Sequence, residues 1–74
     1  MLIYVVRTFR GFFVTADEEV AELKANKLYD ELEQDYDENR VRKLDVWTRI
    51  DIYESQDYVG APFEYLNSQW ANKM

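Results

Sequence analysis

The stretch VRKLDVWTRIDIYE at residues 41–54 alternates without a break. Leu44, Val46, Thr48, Ile50 and Ile52 fall on one side, and Lys43, Asp45, Trp47, Arg49, Asp51 and Tyr53 on the other. A period of two belongs to a β-strand, because successive side chains there point to opposite faces of a sheet. The apolar row needs a cover, so the chain must supply a second layer with an apolar stripe of its own. The other row interleaves two aromatics with charges of both signs, as on a half-exposed sheet face.

The covering element is predicted just upstream. TADE at 15–18 has the form of a capping box, with Thr15 accepting near Glu18 and Glu18 reaching back. Asp17, Glu18 and Glu19 also suit the positive end of a helix dipole. A helix is therefore expected from about Ala16. At 100° per residue, Ala21, Ala25, Leu28, Tyr29, Leu32 and Tyr36 make one apolar stripe. Glu19, Glu22, Asn26, Asp30 and Glu33 collect on the opposite side, joined by Asp37 if the helix lasts that far, and Leu23 lies among them.

The remaining elements complete a sheet. LIYVVRT at 2–8 is β-branched and aromatic, apolar on both faces until Arg7, and reads as a central strand. Gly11 permits a tight turn, so FFV at 12–14 is expected to return as a short second strand rather than to end the first. After a loop that includes a possible short strand at Tyr58 and Val59, Pro62 followed by Phe63, Leu66 and Trp70 at spacings of three and four predicts a helix over 62–71. The expected fold is α+β, with a small antiparallel sheet carrying one long acidic helix, in the order β(β)αβ(β)α. With 74 residues and no internal repeat, residues 1–74 are expected to form a single domain with one small core, to which twelve aromatic rings contribute much of the buried area.

The composition bears on chemistry. There is no histidine and no cysteine, which removes the commonest general base, thiol nucleophiles and ordinary zinc sites. Asp35, Asp37 and Asn39 match the first ligand positions of a calcium loop, but Arg40 stands where glycine is required and Val46 where a bidentate glutamate belongs. A non-enzymatic protein without a metal or other cofactor is expected. No apolar run approaches the roughly 18 residues of a membrane span, and the first residues lack the basic region and cleavage site of a signal peptide. The cytoplasm is the expected location, and no membrane partner is expected.

The charge is lopsided. Residues 17–38 hold ten acids against Lys24 and Lys27, a net −8, whereas the rest of the chain holds five acids and seven bases. Direct nucleic-acid binding is disfavoured, because phosphate attraction needs a cationic surface. A basic protein surface is the favoured partner. LYDELEQDYDENR at 28–40 places acid at a helix C-terminus, where each carboxylate opposes the dipole by about 0.3–1 kcal/mol at low salt. Two arrangements would relieve this. The helix could stop near Gln34 while Arg40, Arg42 and Lys43 fold back onto the acids. Alternatively, a cationic partner could meet them, through Glu19, Glu22, Asp30, Glu33, Asp37 and Glu38. Ten acids over a 22-residue helix give one charge per roughly 3.3 Å, close to the roughly 3.4 Å charge spacing along one DNA strand. A second candidate surface is the mixed strand face at Trp47 and Tyr53, through which a small structural or accessory subunit would act, as a monomer or a homodimer.

The combination of LIYVVRTFRGFFVTADEEV leading from strand into capped helix, the acidic run DELEQDYDE, many aromatics and no histidine or cysteine resembles small phage or mobile-element inhibitor proteins of the anti-CRISPR and anti-restriction type. The likeness spans roughly residues 1–54 and lies in size, element order and charge, so no residue role carries over from it. It implies a protein in the host cytoplasm that blocks the nucleic-acid-binding surface of a host defence protein. Arg40, Arg42 and Lys43 depart from a uniformly acidic mimic.

Overall fold

A computed structural model describes residues 1–54 and 64–70. The elements are β1 (Leu2–Thr8), β2 (Gly11–Thr15), α1 (Glu18–Asp37), a 3-10 turn at Lys43–Asp45, β3 (Arg49–Glu54) and β4 (Glu64–Trp70). The four strands form one antiparallel sheet in the order β2-β1-β3-β4. β1 is central, as its two apolar faces require, and β3 lies beside it. The α+β class and the single acidic helix on an antiparallel sheet agree with the sequence pattern.

The β1–β2 hairpin turns through Phe9 and Arg10, with Thr8 opposite Gly11. Thr8 Oγ1 accepts from the Arg10 N–H at 3.1 Å. Gly11 has φ 153°, a conformation that disfavours a side chain, which explains glycine at this place.

α1 begins two residues later than the expected capping box. Asp17 is the N-cap: its Oδ1 accepts from the Val20 N–H at 3.1 Å, while Thr15 Oγ1 accepts from the Asp17 N–H at 3.1 Å. Asp17 displaces Thr15 because it can satisfy a first-turn donor with a charged acceptor near the positive helix end. The helix also runs past Gln34, ending at Asp37. Beyond the Glu38 cap, Asn39 takes φ 60°. The Asn39 N–H donates to Tyr36 O at 3.0 Å and the Arg40 N–H to Asp35 O at 2.8 Å. These two bonds make a Schellman closure, with asparagine tolerating the left-handed residue.

The core lies between α1 and the central strands. Ala21 and Ala25 are fully buried against Tyr4, Val6, Ile50 and Ile52, with Phe13 and Leu28 packed at the edge. Leu32 is buried further along the helix. Val46 and Thr48 are buried too, as the alternating pattern predicts. The strand itself is shorter than expected. Residues 43–45 form a 3-10 turn, and β3 starts only at Arg49. Leu44 is consequently 79% exposed instead of facing the helix. Locally, Asp45 Oδ2 accepts from the Arg42 backbone N–H and from Arg42 Nε, both at 3.3 Å, and this winds the chain before the sheet begins.

The expected helix over 62–71 is replaced, at 64–70, by strand β4. β3 would otherwise be an edge with a row of unpaired backbone groups, and pairing them outweighs the weak helical spacing of three apolar residues. A bulge disguises the strand. Ile52 faces Asn67 while Tyr53 faces Tyr65, so Leu66 is an extra residue that breaks the period of two. The expectation for Tyr58, Val59, Pro62 and Phe63 falls outside the described residues. Leu32→Ala should lower stability by about 2–4 kcal/mol through the cavity it leaves. Leu23→Ala, at a position 70% exposed, should change it by less than about 0.5 kcal/mol. Urea unfolding of both variants checks the contrast.

Candidate functional site

The burial of Ala21, Ala25 and Leu32 fixes the rotation of α1, and with it the direction of every acid. Glu19, Glu22, Asp30, Glu33, Asp37 and Glu38 are all exposed. Among the described residues, Glu19, Glu22, Asp30, Glu33 and Asp37 have no ion-pair partner. Glu38 differs: Arg40 reaches its Oε1 at 3.1 Å. By helical angle, Glu19, Asp30 and Asp37 crown the outer side, while Glu22 and Glu33 lean toward the β3–β4 flank.

The three bases that could have folded back do so only once. Arg40 takes Glu38, Arg42 takes Asp45 at the 3-10 turn, and Lys43 makes no ion pair among the described residues. The helix acid that is tied down is Asp35, which Arg10 of the β1–β2 turn holds at 2.6 Å. That bond, together with the left-handed cap at Asn39, makes DYDENR a helix end and not a cation loop. The uniform charge line also thins. Asp17 is engaged as cap, Asp35 and Glu38 as ion pairs, leaving Glu18, Glu19 and Glu22 exposed in the first part of α1 and Asp30, Glu31, Glu33 and Asp37 exposed in its last part.

One helix is too narrow to cover four strands. Strands stand about 4.8 Å apart, and α1, about 10 Å across, lies chiefly over β1 with lesser contact to β2 and β3. The flank toward β4 is left open as three adjoining depressions. The first, about 180 Å³, is lined by Glu22, Asn26, Ile50, Gln69 and Trp70. The second, about 390 Å³ and the most apolar, is lined by Lys43, Leu44, Val46, Trp47 and Trp70. The third, about 220 Å³, is lined by Tyr29, Glu33, Tyr36, Asp37, Lys43 and Val46. Sequence reasoning missed this groove because it depends on β4 and on the exposure of Leu44.

Trp47 and Tyr53, the second candidate surface, are placed apart. Tyr53 stacks edge-on against Tyr65 of β4 at 5.5 Å, on the sheet face away from the helix. Trp47 meets Trp70 edge-on at 5.9 Å, and Arg49 lies over both indoles at 5.9 and 5.8 Å. Between these pairs sits Asp51, only 4% exposed. Arg7 Nε donates to its Oδ2 at 2.6 Å, and Arg49 Nε stands 2.8 Å from Oδ1. Ser68 Oγ donates to Oδ1 at 2.6 Å and accepts from the Tyr65 hydroxyl. One carboxylate thus ties β1, β3 and β4 together.

Burial by itself would raise the Asp51 carboxyl, but hydrogen bonds from Ser68, Arg7 and Arg49 together outweigh it and hold the group below its ordinary value. A folded-state pKa below the unfolded one gives stability that is complete above the unfolded carboxylate range and lost as pH falls through the folded value.

No protein-family model, curated protein or solved structure matches the chain. No helix among the described residues is long and apolar enough to cross a membrane.

Asp51→Asn should cost about 1–3 kcal/mol at neutral pH, since it leaves Arg7 and Arg49 without their counter-charge. The difference from the parent protein should shrink as pH falls from about 5 to about 2. Urea midpoints across that range measure it.

Proposed function

We propose that this chain is a non-enzymatic binding protein that docks its α1 acids on a cationic protein surface. The observation that supports this most is that Glu19, Glu22, Asp30, Glu33 and Asp37 are exposed on one helix and have no ion-pair partner among the described residues. A helix with no basic residue in its last turn bears an electrostatic cost there, and incoming Arg or Lys side chains would offset it. Charge of this kind speeds encounter and selects the partner, while apolar contacts supply much of the affinity.

The partner in this reading is a nucleic-acid-binding protein, whose phosphate-binding surface is an array of Arg and Lys. Occupying that array would block it, which is how an inhibitor of the anti-CRISPR or anti-restriction type would act on a host defence protein. The two outward acid groups, one at each end of α1, would meet separate basic clusters rather than a continuous line of charge.

A second reading, a small accessory or homodimeric subunit, draws on the exposed aromatic sheet face. Tyr65 is 54% exposed beside Tyr53, and Phe12 is 69% exposed with Arg7 over its ring. Arg7 and Arg49 share the single Asp51 carboxylate there, whereas Glu19, Glu22, Asp30, Glu33 and Asp37 of the acidic helix have no ion-pair partner among the described residues, so the helix has more unmet charge to offer a partner.

The tagged chain should retain nucleic-acid-binding proteins from a cell lysate. Retention should fall at least tenfold as salt is raised from about 0.05 to about 0.5 M. Asp30→Lys combined with Glu33→Lys should abolish it with the circular dichroism spectrum unchanged. Undiminished retention by the double variant would contradict the proposal.

A further inference from the structure

The groove beside the helix carries the docking argument further, on the basis of the function just proposed. Its floor is Val46, and its apolar walls are Leu44, Trp47 and Trp70. Leu44 and Trp70 are 79% and 50% exposed, a large apolar surface for so small a protein. Glu33 and Asp37 stand at the adjoining depression, which shares Val46 and Lys43 with the first. Neither acid has an ion-pair partner among the described residues. Lys43 lines both depressions, and the Arg49 guanidinium lies over the two indoles from the sheet side.

We infer that this groove is the anchor site for a partner segment that pairs an apolar side chain with a nearby Arg or Lys. The apolar side chain enters between Leu44, Trp47 and Trp70. The cation reaches Glu33 and Asp37 over the rim. Charge complementarity selects this occupant. A purely apolar segment would leave two carboxylates facing it without a partner, and a purely basic one would leave the indoles and Leu44 in water. The arrangement of a desolvated aromatic pocket bordered by charge is also that of a binding hot spot.

Both tryptophans of the chain line this groove, so intrinsic fluorescence reports on it directly. The full-length protein would be titrated with two synthetic dodecapeptides of equal charge, one alternating Leu with Arg and the other alternating Ser with Arg. The Leu–Arg peptide should bind at least tenfold more tightly and shift the tryptophan emission to the blue. The Ser–Arg peptide should bind weakly without that shift. Leu44→Ser, a change at an exposed position, should remove the tenfold preference and leave Ser–Arg binding intact. Glu33→Gln with Asp37→Asn should weaken both peptides.

Equal binding of the two peptides with no emission change would overturn the groove assignment while leaving the acidic-helix reading standing. Absence of binding by either peptide would remove both. A concentration-dependent dimer in sedimentation equilibrium that Leu44→Ser dissociates would assign the groove to a second copy and overturn the inference.

Discussion

The narrow stripe of Ala21, Ala25 and Leu32 against Tyr4, Val6, Ile50 and Ile52 is the contact on which the molecule depends. Two alanines with no accessible surface let the helix backbone approach the sheet closely. Close approach leaves little room for α1 to rotate, because any turn about its axis would press a carboxylate into the core. Burying an unpaired carboxylate is far more costly than the methylene contacts a rotated helix could gain. The small residues therefore decide where ten acids point, and the sheet sets the limits of what one helix can cover.

The two sides of the sheet handle charge in opposite ways. On the open face, Asp51 gathers Arg7, Arg49, Ser68 and, through Ser68, Tyr65, so that its own charge and the two hydroxyls find partners within the protein. This network joins the edge strand β4 to the centre of the sheet, where packing against α1 gives it little help. On the helix side, by contrast, Arg10 and Arg40 engage one acid each and the outer carboxylates have no ion-pair partner among the described residues. The groove arises where these regions meet, between a helix that stops short of β4 and a 3-10 turn that presents Leu44 outward.

Much of this was readable in the residues. The strand at 2–8, the turn at Gly11, the helix stripe at Ala21, Ala25 and Leu32 and the outward acids all follow from periodicity and local chemistry. Tyr36, at the end of the same stripe, is instead 42% exposed, because the helix there has run past the sheet contacts that bury Ala21 and Ala25. The errors have identifiable physical causes. Thr15 is a good cap by sequence, but Asp17 competes for the same role two residues on. Alternation at 43–45 mimics a strand although Asp45 accepts from both the backbone and the side chain of Arg42 and curls the chain. At 64–70 the bulge at Leu66 destroys the period of two, and the need to pair the free edge of β3 is a long-range demand that no local window contains. The Asp51 network was hidden for the same reason, since Arg7 and Ser68 reach it only after the sheet is assembled.

The central claim is that the outward face of α1 and the groove at Leu44, Trp47 and Trp70, rather than the Tyr53 and Tyr65 side of the open sheet face, form the binding surface. Chemical-shift mapping of the ¹⁵N-labelled chain against an Arg-rich peptide containing leucine addresses it most directly. The account predicts shifts concentrated at Asp30, Glu33, Asp37 and Leu44 and at the indole N–H groups of Trp47 and Trp70. Shifts confined to Phe12, Tyr53 and Tyr65 would contradict it.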